Sequence, residues 1–247
     1  MAPQANQAGI AQAGAAIVVG VGPGLGAALV RRFAQGGHAV AMIARSREFM
    51  EGLAAEVKAA GGRTLAVTAD VGDAAEIGRA FDTVRSKLGV PEVLLYNAGS
   101  GNWGTISEIT PEQYEDSWRV NAYGAFLCAK QAVPDMIKNK RGVILFTGAT
   151  AGIKAGPMSA AFGPAKFAVR GLAQSLARDL GPRGIHVAYV NVDGIIDIPH
   201  IRSRMPSLKD EDMLKPAAIA EAYWFLANQD PSAWTQELDV RPFKEKF

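Results

Sequence analysis

The chain has 247 residues, 49% hydrophobic and 20% charged, with 26 Lys and Arg against 24 Asp and Glu for a net charge of +2. That is enough apolar material for a core and too little net charge for a disordered chain, and one α/β domain of this length is ordinary. The scattered charges lack the basic footprint of a nucleic-acid binder, the single Cys128 excludes an internal disulfide and a cysteine-based zinc site, and His38, His186 and His200 lack metal-ligand spacing.

Residues 1–13, rich in Ala, Gln and Gly, read as a loose tail, and 14–247 as one domain. Ala13–Val30 is uncharged over a length that touches the threshold for a membrane helix, but five glycines and Pro23 break it. No basic segment of signal-peptide type precedes it. The expectation is a cytoplasmic protein with no membrane partner.

Strand-length apolar runs then alternate with helical patterns. Ala15–Val19 is a strand, followed by a glycine-rich turn and a helix over about 25–35. Strands follow at Ala39–Ala44, Thr64–Thr68 and Glu92–Tyr96, separated by helices at Arg47–Ala60 and Ala74–Leu88. Gly61-Gly62 stops the second helix. Thr110-Pro111-Glu112-Gln113 is a capping box with proline at the first helical position, opening one long helix to about Lys138. A strand at Gly142–Phe146, a helix over 159–180, a strand at Ile185–Val190, an irregular segment, a helix at Pro216–Ala227 and a strand at Glu237–Val240 complete the chain. The strands are apolar on both faces, as parallel strands covered by helices are. The fold class is therefore α/β: a Rossmann-type doubly wound domain of about seven parallel strands.

Gly20-Val21-Gly22-Pro23-Gly24-Leu25-Gly26 joins the first strand to the first helix. Glycines there allow a tight turn and close approach of a pyrophosphate to the helix N-terminus, which points to a dinucleotide over a purely structural turn. After the second strand stands Ala44-Arg45-Ser46, with no carboxylate to hold a ribose 2′-hydroxyl. Arg45 suits a 2′-phosphate, so NADP(H) is favoured over NAD(H); the alternative is a solvated surface arginine.

From about residue 15 to 240 the chain resembles the short-chain dehydrogenase/reductase family. Gly20, Gly24 and Gly26 match its GxxxGxG turn, Asp70-Val71 its adenine-contacting pair, and Asn97-Ala98-Gly99 its cofactor-lining motif. Asn121 falls at the family's catalytic Asn and Lys166 at the Lys of Tyr-x-x-x-Lys. The resemblance implies a tyrosine that gives a proton to a carbonyl as hydride arrives, a lysine that favours its phenolate and holds the nicotinamide ribose, and a serine bonded to the same substrate oxygen. It also places Gly194 and Ile196 beside the cofactor.

The resemblance breaks at the reacting centre. Phe162 stands at the tyrosine position and Ala149 at the serine position, while Asp193 and Ile198 replace the family's proline and threonine after the sixth strand. Phenylalanine donates no proton and alanine no side-chain hydrogen bond. Thr147 and Thr150 flank Ala149, and either is a possible substitute hydroxyl near the substrate oxygen; Ser159, Lys166 or water are others. Two readings follow: an NADP(H)-dependent oxidoreductase with an altered centre, acting on an alcohol, carbonyl or activated alkene, or a non-catalytic NADP-binding sensor or partner subunit. In the resembled family the helix that corresponds to the alanine-rich 159–180 and the long helix before it form a subunit interface, so the resemblance implies a homodimer or homotetramer. Pro199–Lys215, polar and mobile in character, falls at the family's substrate lid. No metal is expected, and the small-molecule substrate is not specified.

Overall fold

The computed structural model describes residues 14–245, so the expected tail at 1–13 lies outside the described residues. In chain order the elements are β1 (Ala15–Val19), α1 (Leu25–Gln35), β2 (Ala39–Ala44), α2 (Arg47–Ala59), β3 (Arg63–Thr68), α3 (Ala74–Leu88) and β4 (Pro91–Tyr96). Then come α4 (Pro111–Trp118), α5 (Gly124–Asn139), β5 (Gly142–Thr147), α6 (Phe162–Leu180), β6 (Ile185–Val192), β7 (Ile195–Ile196), α7 (Pro199–Arg204), β8 (Met213–Leu214), α8 (Pro216–Ala227) and β9 (Glu237–Val240).

Seven strands form one sheet in the order β3-β2-β1-β4-β5-β6-β9, every pair parallel. Both faces are buried. Ile17 and Val19 of β1 pack with Phe81 of α3, Cys128 of α5 and Val169 of α6. Their neighbours Ala16 and Val18 point the other way, with Leu29 of α1, Leu53 of α2 and Tyr223 of α8. Burying each large aliphatic contributes about 1.5–3 kcal/mol, so a strand sandwiched between two helix layers gains from every residue and shows no polar alternation.

Two local features depart from the sequence reading. The helix expected from Thr110 to Lys138 begins on the expected capping box, with Gln113 N donating to Thr110 Oγ1 at 3.2 Å and Thr110 N to Gln113 Oε1 at 3.0 Å. However, residues Arg119–Tyr123 form a π-helical turn between α4 and α5, closed by Gly124 N donating to Arg119 O. The segment expected to be irregular carries α7 and the small parallel pair β7–β8. Arg202 grips it, donating to both oxygens of Asp197 at 2.7 and 2.8 Å and to Asp210 at 2.7 Å. Among the described residues no helix is long and apolar enough to cross a membrane.

Candidate functional site

The chain runs outward from β1 through β2 to β3, then returns to place β4 on the other side of β1. In doubly wound sheets the crevice at the carboxyl ends of such strands is where ligands bind. Here the crevice is floored by the glycine turn. Gly20 has φ +88°, and a Cβ on it would lie 2.3 Å from Ala98 N, so backbone conformation and close packing both demand glycine. A Cβ on Gly26 would meet Gly20 O at 2.4 Å, so the first turn of α1 rests directly on the loop. Gly22 differs: its Cβ would meet nothing, because the space above it is the open cleft. Asn97 fastens the opposite wall, donating its side-chain amide to Gly20 O at 2.9 Å and its backbone N–H to Val19 O at 2.8 Å. Helix α1 starts on Gly24 with no side-chain cap, leaving its N-terminal dipole at the cleft.

The cleft has two lobes that share Gly20, Gly22, Asn97 and Gly99. One lobe, of about 420 Å³, runs toward the ends of β2 and β3 and is lined by Arg45, Ser46, Asp70, Val71 and Ala98. Arg45 is exposed at its lip, and among the described residues no carboxylate pairs with it, whereas the neighbouring Arg47 is held by Glu51 at 2.7 Å. Asp70 turns its carboxylate onto its own loop, accepting from Gly72 N at 2.8 Å.

The other lobe, of about 820 Å³, is lined by Pro23, Gly24, Leu25 and Gly26 on one side and by Thr147, Ala149, Phe162, Lys166, Gly194 and Ile196 on the other. Lys166 is 5% exposed, and its ammonium donates to Thr147 O at 3.1 Å. Burial pushes its pKa down to about 8, because a low-dielectric surrounding penalises the cation. The Phe162 ring lies 5.5 Å from Lys166 Nζ and packs on Trp103 with ring centroids 4.7 Å apart. The Ala149 side chain offers no polar atom; its backbone N–H donates to the Tyr189 hydroxyl at 3.3 Å. Thr147 is enclosed, its hydroxyl bonded to Asn97 Oδ1 at 3.2 Å and to the Tyr223 hydroxyl at 2.7 Å, which commits its single proton. Ser159 is outside the cleft wall and donates to Gly156 O at 2.7 Å.

Asn121 does not line the cleft. It is fully buried in the π-helical turn, where its amide donates to Ser117 O at 2.8 Å and Ser100 O at 2.9 Å. Its Oδ1 has no hydrogen-bond partner among the described residues. A Cβ on Gly99 would sit 3.3 Å from that Oδ1 and 3.8 Å from Lys166 Nζ, so Gly99 is the point where Asn121 and Lys166 meet.

A profile of the short chain dehydrogenase family matches residues 14–204. The chain belongs to that family. It is 32% identical to the 3-oxoacyl-acyl-carrier-protein reductase FabG of Staphylococcus aureus over 173 residues, 70% of each chain. Among solved structures, a short-chain dehydrogenase from Rhodopseudomonas palustris is 34% identical, with TM-score 0.81 over 93% of this chain and 99% of that one. A metagenomic short-chain oxidoreductase in complex with NADP is 27% identical, with TM-score 0.82 over 94% and 98%. The short-chain dehydrogenase fold accounts for the cleft at the strand ends.

Sequence reasoning missed part of this short-chain dehydrogenase cleft. Ile198 covers Gly24 so closely that a Cβ there would lie 2.6 Å from its Cγ2. Glu245, near the C-terminus, lines the larger lobe, and Lys244 beside it pairs with Glu211 of the segment between α7 and β8. Ile198 stands where the family resemblance has a threonine, but no motif marks Lys244 or Glu245; only the tertiary path of the terminal segment brings those two to the site. Among the described residues no group of acidic, His or Cys side chains is arranged to hold a metal.

Proposed function

We propose that the protein is an NADP(H)-dependent oxidoreductase whose reacting centre works without the family's tyrosine and serine. The observation that carries this is one continuous cleft with an unpaired Arg45 at one end and a buried Lys166 at the other. The turn from Gly20 to Gly26 and the uncapped N-terminus of α1 suit the pyrophosphate. Arg45 and Ser46 suit a 2′-phosphate, Asp70 and Val71 the adenine edge, and Asn97, Gly99, Lys166, Gly194 and Ile196 the nicotinamide half. That the metagenomic short-chain oxidoreductase of similar structure is a complex with NADP supports the same choice. When bound, the cofactor supplies the hydride chemistry.

Lys166 contributes a positive charge at the reacting end. With a pKa near 8 the cation predominates below that pH and is lost above it, so any step that needs it weakens as pH rises through about 8. Such a charge, fixed in a cleft that excludes water, stabilises a developing oxyanion more than it would in bulk solvent. Asn121 sets the helix turn behind Gly99 and presents a free acceptor toward Lys166.

The test is a double substitution, Phe162→Tyr with Ala149→Ser, assayed both with NADPH and a carbonyl panel and with NADP⁺ and an alcohol panel. A working centre of a different kind predicts that the natural chain already turns over a substrate and that the double variant loses it. Activity appearing only in the variant, at about 10²-fold or more over the natural chain, contradicts the enzyme reading and favours a cofactor-binding sensor or subunit.

A further inference from the structure

The larger lobe contains a second polar device that the family resemblance does not supply. Thr150 follows β5 in a short 3-10 turn and lines the lobe beside Ala149. Its hydroxyl donates to Asp193 Oδ1 at 2.5 Å. Asp193 closes β6, its side chain is 7% exposed, and its backbone N–H is locked to Val240 O at 2.9 Å. The second carboxylate oxygen faces Arg241, with Nη1 at 3.7 Å, and that guanidinium also holds Asp239 at 2.7 Å. Lys166 and Glu245 are the charged residues that line this lobe itself.

A hydroxyl has one proton. Thr150 has given its own to the carboxylate, so what it shows the cleft is oxygen lone pairs. Such a group meets a hydroxyl, and has nothing to offer a carbonyl oxygen. Thr147, the alternative hydroxyl, is closed by Asn97 and Tyr223. We propose that Thr150 and Asp193 are the proton-accepting pair of this cleft, and that the substrate is an alcohol carried on an apolar body against Trp103 and Phe162. This rests on the oxidoreductase reading above and deepens it.

The substrate O–H bond breaks, its proton passes to Thr150 Oγ1, and the proton of Thr150 passes to Asp193 Oδ1, turning the carboxylate into a carboxylic acid. The C–H bond breaks with its electron pair, and the hydride goes to an oxidised nicotinamide dinucleotide, the co-reactant of the step. The carbon–oxygen double bond forms, and Asp193 returns its proton to solvent before the next cycle. Thr150 touches the substrate; Asp193 acts through it.

Two readouts test the pair. The first is binding without turnover: trifluoroethanol titrated against the protein with NADP⁺, followed by Trp103 fluorescence, with Trp103→Phe assigning the signal. The second is NADP⁺ reduction with cyclohexanol, benzyl alcohol and 1-phenylethanol. The pair predicts that Thr150→Val loses trifluoroethanol binding and turnover, each by about 10²-fold, and that Thr150→Ser retains both within about threefold. Asp193→Asn can still accept from Thr150, so it keeps binding while turnover falls about 10²-fold or more. Wild-type-like behaviour of Thr150→Val overturns the proposal, as does a natural chain that binds NADP⁺ yet oxidises none of the three alcohols. Failure to bind NADP⁺ at all, read by calorimetric titration of the protein with NADP⁺ before either assay, sinks the cofactor reading instead.

Discussion

Arg45 carries the choice of cofactor at the scale of a single side chain. It is exposed and unpaired, so it is not needed for the fold, and a charge-assisted bond to phosphate contributes about 1.5–3 kcal/mol. Arg45→Ala is therefore expected to weaken NADPH binding by about 10- to 100-fold while changing NADH binding less than about twofold, measured by calorimetric titration. Lys166 carries a different cost. Its pKa near 8 lies below the ordinary lysine value of 10.5, so the unfolded chain binds more protons than the folded one between those values. Stability from this group then rises as pH climbs from about 8 toward 10.5, by at most about 3 kcal/mol. Cys128, Tyr96 and Tyr223, whose buried groups are pushed upward, act in the opposite direction at the high end. Comparing urea unfolding of the wild type with Lys166→Met isolates the lysine: the variant should gain over wild type at pH 7 and lose that advantage by pH 10. Arg45 was legible because it directly follows the second strand, and Lys166 because the family resemblance places its lysine there. Thr150 was visible as a hydroxyl beside Ala149 and Asp193 as a residue where the family pattern fails; their 2.5 Å bond joins the segments that follow β5 and β6, whose pairing no local pattern encodes.

Elements differ in how plainly the chain announces them. The βα alternation from Ala15 to Val240 is legible because buried parallel strands are continuous apolar runs and the helices between them carry stops and caps. The π-helical turn at Arg119–Tyr123 is not, since its residues have the composition of any helix and only the Gly124 to Arg119 bond reveals it. The segment 199–215 is short and polar, and Arg202 ties it down by reaching Asp197 and Asp210 across a non-helical spacing. These groups are partly exposed, and pairs of that kind contribute about 0.2–1 kcal/mol each. Arg202→Met should leave global unfolding nearly unchanged but open 199–215 to limited proteolysis several-fold faster, because Ile198 would lose its hold over Gly24. An unchanged cleavage rate would show that the β7–β8 pair alone secures the segment.

At the scale of the whole molecule, one face stays apolar after the core is complete. Tyr114, Trp118, Phe126 and Phe167, on α4, α5 and α6, are each between 41% and 45% exposed, and Trp118, Tyr123 and Phe126 form a stacked row. Exposed aromatic surface of this kind suits an interface, and these three helices cover the two stretches that the family resemblance singled out for a second copy. The pairing proposed is a homodimer through this face. Sedimentation velocity should find a dimer for the natural chain and a folded monomer for Trp118→Glu with Phe167→Glu; a monomeric natural chain would contradict it.

The account stands on the cleft being a dinucleotide site that reads a 2′-phosphate. The most direct measurement is therefore calorimetric titration of the natural chain with NADPH and, separately, NADH. The structure predicts one site per chain, with NADPH tighter by about tenfold or more because Arg45 meets a phosphate that NADH lacks. Equal affinity for the two would remove the role of Arg45, and no heat with either would mean that the glycine turn is architecture alone.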